Sequence, residues 1–194
     1  MNNKVLAVTL LSTIIFSGYA SAEDNAAGGS INFSGAITDT TCTINGGKSA
    51  DMTVALSPIT VSDAGTTVGL IAKNKKSFSL TFSGCSPVDE ESTNPLKIYF
   101  SSAQNISTDG NYVTNTTVNE NDVNVARNVG FSLAKPGTSQ PIPLNQPLVT
   151  DILGQQASPN AETLTLDVFY YKTNALPARV GDLSSNITYT ISYL

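Results

Sequence analysis

Hydrophobic side chains recur at every second position along this chain, in short runs. Ile31, Phe33 and Ile37 share one parity ahead of Cys42, and Met52, Val54 and Leu56 alternate after it. Phe78, Leu80 and Phe82 follow, then Leu96, Ile98 and Phe100, then Val123 and Val125. Val129, Phe131 and Leu133 come next, then Leu164, Leu166, Val168 and Tyr170. The last run is Leu183, Ile187, Tyr189, Ile191 and Tyr193, with Ser, Asn and Thr in most of the gaps. A period of two predicts strands with one buried face. Turn formers separate the runs: Asn45-Gly46-Gly47, Ser86-Pro87, Asp109-Gly110-Asn111, Pro136-Gly137 and Ser158-Pro159-Asn160. No long window has the helical period. Residues 60–73 are the least strand-like and predict a helical turn at most. Many short strands with turns between them predict an all-β sandwich or barrel. The chain reads as one domain without internal repeats. Residues 101–121, rich in Ser, Thr and Asn, predict an exposed hairpin or loop.

The first 22 residues fall outside this pattern. A polar start with Lys4 precedes a mostly apolar run over residues 5–16, and Ala20-Ser21-Ala22 forms a small-residue cleavage signal. This predicts a secretory signal peptide at residues 1–22. The apolar run is short of the ~20 residues that span a bilayer. The mature chain is then expected to begin at Glu23 and to be exported.

Export bears on Cys42 and Cys85, the two cysteines of the chain. In an oxidising compartment they are expected to pair. A reactive thiol or a two-thiolate metal site is the alternative, but with no His in the chain a metal lacks ligands.

Composition narrows the function classes. The chain has 194 residues, 13% of them charged, and a net charge of -5. So few cations argue against nucleic acid as a partner. The absence of His removes Ser-His and Cys-His nucleophilic catalysis. No Gly-rich loop opens a helix, so no phosphate cradle or cofactor is expected. Asp89-Glu90-Glu91 beside Pro87 reads as a solvated loop rather than an acid/base pair. Lys73, Lys75 and Lys76 read as a solvated strand start, with a docking patch as the alternative. Asn105, Asn115 and Asn186 head N-x-S/T triplets, a pattern common by chance in such a chain.

The ends of the mature chain carry more information. Ala27, Gly29, Ile31, Phe33, Gly35 and Ile37 share one parity soon after Glu23. An ordinary first strand behind a frayed tail would read this way. So would a segment meant for another molecule's sheet edge.

The stretch GGSINFSGAITDTTC, with Gly35, Ile37 and Cys42 spaced as G-x-I-x-x-x-x-C, resembles the start of fimbrial subunits of the chaperone–usher class. FSGC at Cys85, ARNVGFSLAKPGTSQPIPL, and a C-terminus with Gly181 fourteenth from the end and a penultimate Tyr193 resemble the same family. VALSPIT followed by KSFSLTFSGC is similar to subunits of type 3-like fimbriae. Leu194 departs from the polar last residue frequent there.

The resemblance covers the mature chain and implies an incomplete immunoglobulin-like sandwich lacking its final strand. It implies completion by a strand from a periplasmic chaperone, then from a neighbouring subunit at the outer-membrane usher, giving a head-to-tail polymer of this chain or related pilins. Residues 23–34 would be the donor extension and residues 35–194 the pilin domain. Ala27, Gly29, Ile31 and Phe33 would enter the groove, with Gly29 at its shallow point. Gly181, Leu183, Ile187, Tyr189, Ile191 and Tyr193 would wall it, and the chaperone would grip the carboxylate of Leu194. The expected role is structural, at the cell surface, in support of adhesion. Only residues 23–34 precede the family pattern, so a two-domain tip adhesin is not expected. The alternative is a single-domain adhesive subunit that binds a host glycan or protein through its loops, for which Tyr112 is the candidate aromatic.

Overall fold

The alternation is carried furthest by two paired strands, β2 (Gly69–Pro87) and β6 (Glu162–Lys172), which run antiparallel with Phe78 opposite Leu166 and Leu80 opposite Leu164. The computed structural model that shows this describes residues 40–47, 51–87, 95–116, 122–152 and 162–192, all within the unit Ala36–Leu194. Outside the described residues lie the expected signal peptide 1–22, the expected donor extension 23–34 with Ala27, Gly29, Ile31 and Phe33, the Asp89-Glu90-Glu91 run, and Tyr193 and Leu194.

Strand β1 (Thr40–Ile44) pairs with one side of β2, and β4 (Val129–Ala134) pairs with β6, giving a sheet ordered β1-β2-β6-β4. A second sheet is ordered β5-β3-β7, from β3 (Lys97–Ser101), β5 (Pro147–Val149) and β7 (Thr188–Ser192). All strand pairs are antiparallel. Leu80, Phe82 and Leu166 of the first sheet share one core with Leu96, Ile98, Phe100 and Ile191 on and beside the second. Each such side chain contributes about 1.5–3 kcal/mol by leaving water. The order β1-β2-β6-β4 is that of strands A-B-E-D in an immunoglobulin sandwich, and β3-β7 that of C-F. In that fold a seventh strand, G, lies beside F. Among the described residues the second sheet ends at β7. The fold is the incomplete immunoglobulin-like sandwich that the resemblance implied.

Cys42 and Cys85 form a disulfide between β1 and β2. It ties an end strand to its neighbour within one sheet. The register slips between Thr41 and Thr43, at the cysteine.

The expected helical turn is present, and other elements differ from the sequence reading. The helical turn is α1 (Val61–Ala64), started by a capping box in which Thr60 Oγ1 accepts from Asp63 N–H and the Asp63 carboxylate accepts from Thr60 N–H. Strand β2 takes over from Gly69, so the helical region ends well before Lys73. Met52, Val54 and Leu56 alternate but belong to no strand, although Val54 and Leu56 pack on the core. Val123 is exposed and Val125 buried, in a loop rather than a strand, because the Arg179 guanidinium donates to the carbonyls of Asp122 and Val125 and pins the turn.

The polar stretch after β3 is a hairpin, as expected, but not an exposed one. Ile106 faces Val113, and Val113 in turn bridges Phe131 at the edge of β4. Val113 is thereby buried in the core, and Gly110 is buried against Leu144. Tyr112 is half-buried and stacked on Tyr171 at 4.8 Å between centroids. The aromatic that would have favoured an adhesive loop is a packing residue.

Lys73, Lys75 and Lys76 lie exposed on β2, as the solvated reading expected, and Lys75 also takes part in the fold. The β2–β6 register jumps from Ile71–Tyr170 to Lys76–Val168, so residues 72–75 bulge opposite one residue of β6. Lys75 Nζ sits 2.7 Å from Asp167 Oδ2 and 5.2 Å from the centre of the Phe169 ring. Ser77 Oγ donates to Asp167 Oδ1 at 2.5 Å. The Lys75 ammonium and then the Ser77 hydroxyl hold the buried Asp167 carboxyl below the usual carboxylate range. A depressed folded-state pKa gives stability that is present above the unfolded value, about 3.9, and is lost as pH falls through the folded value. D167N is therefore expected to cost about 1–3 kcal/mol at pH 7. The gap between its melting temperature and that of the wild type should close progressively as pH falls below about 4. A gap independent of pH would show that the ionised carboxylate is not what stabilises.

Candidate strand-accepting edge

β7 is positioned by β3. Ile98 lies opposite Ile191 and Phe100 opposite Tyr189, with the last pair of rings 6.4 Å apart. The alternation of this run turns Ile187, Tyr189 and Ile191 towards the core; Ile191 is buried and the other two half-buried. Leu183 is half-buried upstream of the strand. The strand itself begins only at Thr188, because the preceding segment takes other partners. Thr116 N–H donates to Ser184 O, and Asn115 bonds to Asp182 O and to Ser184 N–H.

Gly181 has a different setting from its apolar neighbours. Its φ is +153°, and a Cβ placed there would come within 2.4 Å of Asn124 O and of Val125 C. Two backbone segments cross at this point. Asp182 N–H donates to Asn124 O at 2.6 Å and Ala126 N–H to Asp182 O at 3.0 Å. Of the residues predicted to form the edge, the structure brings Ile187, Tyr189 and Ile191 onto one face and sets Gly181 at the crossing. Tyr193 and Leu194 lie outside the described residues.

A neighbouring stretch, residues 51–59, was not singled out by the sequence reading as part of a site. Burial pushes the Tyr189 phenol up, and the nearby negative charge of Asp51 adds to the shift. The far end of this stretch is held by side chains of the first sheet. Asn74 Nδ2 donates to Pro58 O at 2.7 Å and to Ser57 O at 3.3 Å. Tyr170 Oη donates to Ser57 O at 3.3 Å, and Lys76 Nζ to Ala55 O at 3.1 Å. Asn74 reaches this position because the bulge puts it at φ +56°, a conformation that Asn tolerates. An Asn inside an otherwise strand-like run was the available sequence signal. No group of three or more Cys, Asp or Glu side chains among the described residues could hold a metal ion.

The edge strand, the disulfide and the incomplete sandwich coincide with a match of residues 31–194 to the family model described as "Fimbrial protein". The chain belongs to the fimbrial protein family. This fimbrial subunit is 27% identical over 169 residues to the F17 fimbrial protein of Escherichia coli, covering 85% of this chain and 87% of that one. Its fold is similar to a chain in a solved structure of a chaperone–usher pilus described for the molecular basis of rod uncoiling, with a TM-score of 0.55 and 15% identity. That match covers 87% of this chain and 97% of the other. The protein is thus a structural subunit of a surface fimbria.

Proposed function

We infer that this fimbrial subunit polymerises by donor-strand exchange. The reading is carried by the strand order: the second sheet runs β5-β3-β7, and an immunoglobulin sandwich has one more strand beyond the position of β7. The chain has a segment suited to that place, residues 23–34, where Ala27, Gly29, Ile31 and Phe33 share one parity. Added to the β7 edge, alternate side chains would enter the groove, and main-chain hydrogen bonds would hold the strand. Gly29 would pass the shallowest point. Leu183, Ile187, Tyr189, Ile191 and Tyr193 would contribute the wall. The contact is heterologous and does not close, so repetition gives a fibre.

In this reading residues 1–22 direct export and are removed, and residues 35–194 form the pilin domain. A periplasmic chaperone covers the edge before assembly, with the Leu194 carboxylate as one of its grips, and an outer-membrane usher hosts the exchange. The subunit catalyses no reaction. An apolar edge left open would otherwise recruit any exposed strand.

Deletion of residues 23–33 behind an intact signal tests this. The truncated subunit is expected to accumulate in the periplasm, folded and bound to its chaperone, while electron microscopy shows no fibres built from it. Fibres of normal length from the truncated subunit alone would remove the donor assignment.

A further inference from the structure

Lys172 stands where the alternating row of β6 calls for one more apolar residue. Leu164, Leu166, Val168 and Tyr170 precede it at every second position, and its side chain is fully buried. It makes no ion pair among the described residues. Its Nζ donates instead to three backbone carbonyls, Asn128 O at 3.3 Å, Asn174 O at 2.6 Å and Leu176 O. Three acceptors match the three N–H donors of an ammonium, whereas a neutral amine would turn its lone pair on an oxygen. A buried charge is costly unless it is bonded in this way. The three carbonyls thus form a site for a primary ammonium, and its occupant is the chain's own side chain. Two of them belong to the connection that leaves β6, and the third to the loop that leads into β4. Other bonds join the same two segments. Asn128 Nδ2 donates to Pro177 O at 2.7 Å, and Asn174 Nδ2 to Asn128 Oδ1 at 2.9 Å. From further along the connection, Arg179 donates to Asp122 O and Val125 O. Backbone bonds complete the seam, from Arg179 N–H to Arg127 O and from Asp182 N–H to Asn124 O. Residues 173–182 are strapped to residues 122–128 by two cations, neither with a carboxylate partner among the described residues.

We propose that the Lys172 ammonium is a latch, a tethered cation in a carbonyl site that holds the strap 173–182 closed on residues 122–128. Opening the strap takes the ammonium away from Asn174 O and Leu176 O and breaks the seam with it, so the strap opens as one unit or stays shut. Arg179 does not substitute for it, because its bonds reach residues 122 and 125 and leave the carbonyls at 174 and 176 unheld. The strap ends at Asp182, directly ahead of the segment that leads into β7. A closed strap therefore fixes where the candidate edge begins. That consequence for strand exchange rests on the donor-strand reading; the latch itself does not.

Hydrogen exchange on the folded subunit, from Glu23 to Leu194 with its disulfide intact, tests the latch. K172M keeps the bulk of the stem and removes the donors. K172A removes the stem beyond Cβ and leaves room for n-propylammonium, which carries the same carbons and the same charge. In K172M the amides of Thr173, Arg179 and Asp182, all bonded across the seam, are expected to exchange about a hundredfold faster. Those of β2 and β6 are expected to change by less than about fivefold. n-Propylammonium chloride, compared with the same concentration of sodium chloride, is expected to restore slow exchange in K172A and to leave K172M unchanged. A K172A chain that folds only with n-propylammonium present would support the site equally. Unaltered exchange of the strap in K172M would overturn the latch. Loss of protection spread evenly over β2 and β6 would overturn it too, since a lysine that merely supports the core gives that result. So would a K172A chain on which n-propylammonium has no effect. None of these outcomes bears on donor-strand exchange, which the deletion of residues 23–33 tests separately.

Discussion

Replacing Gly181 with alanine is expected to prevent accumulation of the folded subunit. The new methyl group would meet Asn124 O and Val125 C at 2.4 Å and Ala126 N at 2.5 Å. All three are backbone atoms, so no side chain can rotate away. Relief requires the segments to part, and parting breaks the bonds between Asp182 and residues 124 and 126. The adjacent Arg127–Arg179 backbone pair and the guanidinium grip of Arg179 on Asp122 and Val125 lie in the same junction. Strain together with the lost bonds gives about 3–6 kcal/mol, a large part of the ~5–15 kcal/mol that holds a domain together.

Gly137 provides the control. It too has positive φ, +76°, but a Cβ there meets nothing within 4 Å. G137A carries the torsional cost alone, about 1–2 kcal/mol. Periplasmic yield and melting temperature should therefore separate the two variants widely, with G181A the worse. Similar melting temperatures for both would show that the crossing yields easily. The expected defect of G181A is in folding, before any strand is exchanged.

The alternation of apolar residues revealed most of the sandwich because burial of one face is what period two reports. Phe78 to Phe82, Ile98 to Phe100, Val129 to Leu133 and Leu164 to Tyr170 lie in β2, β3, β4 and β6, with Leu96 just ahead of β3. The same signal at Met52, Val54 and Leu56 marked a half-buried stretch that is in no strand. Periodicity states which side faces the core, and it carries no information about a backbone partner. That limit matters most at the candidate edge, where the partner is proposed to come from another molecule. Val113 was hidden for the opposite reason: a single apolar residue among Asn and Thr has no period, yet pairing with Phe131 buries it. Gly181 could be noted by position, but the backbone it touches is more than fifty residues earlier in the chain. The grip on residues 55–58 depends on a bulge in β2, and register shifts between distant strands leave only faint traces such as Asn74.

Loss of the Cys42–Cys85 disulfide has the other large expected effect. The bond closes a loop with a sequence separation of 43 and joins β1, an end strand of five residues, to β2. Limiting the unfolded chain in this way is worth about 4 kcal/mol on the entropy model. In a domain of this size that corresponds to about 10 °C in melting temperature. The double variant C42S/C85S, which leaves no lone thiol, is expected to melt lower by about that amount. A change under about 2 °C would mean that β1 is held by its other contacts. The bond also has a mechanical consequence if donor strands link the subunits. Tension would then enter each subunit just before β1, through its extension, and leave through the groove beside β7. An intact disulfide takes the intervening loop out of the stretched path. Single-fibre pulling should therefore show each unfolding step lengthen by roughly 150 Å when the bond is absent, at ~3.6 Å per released residue. Equal steps with and without the bond would show that the force follows another route through the subunit, and the proposed direction of linkage would fall with it.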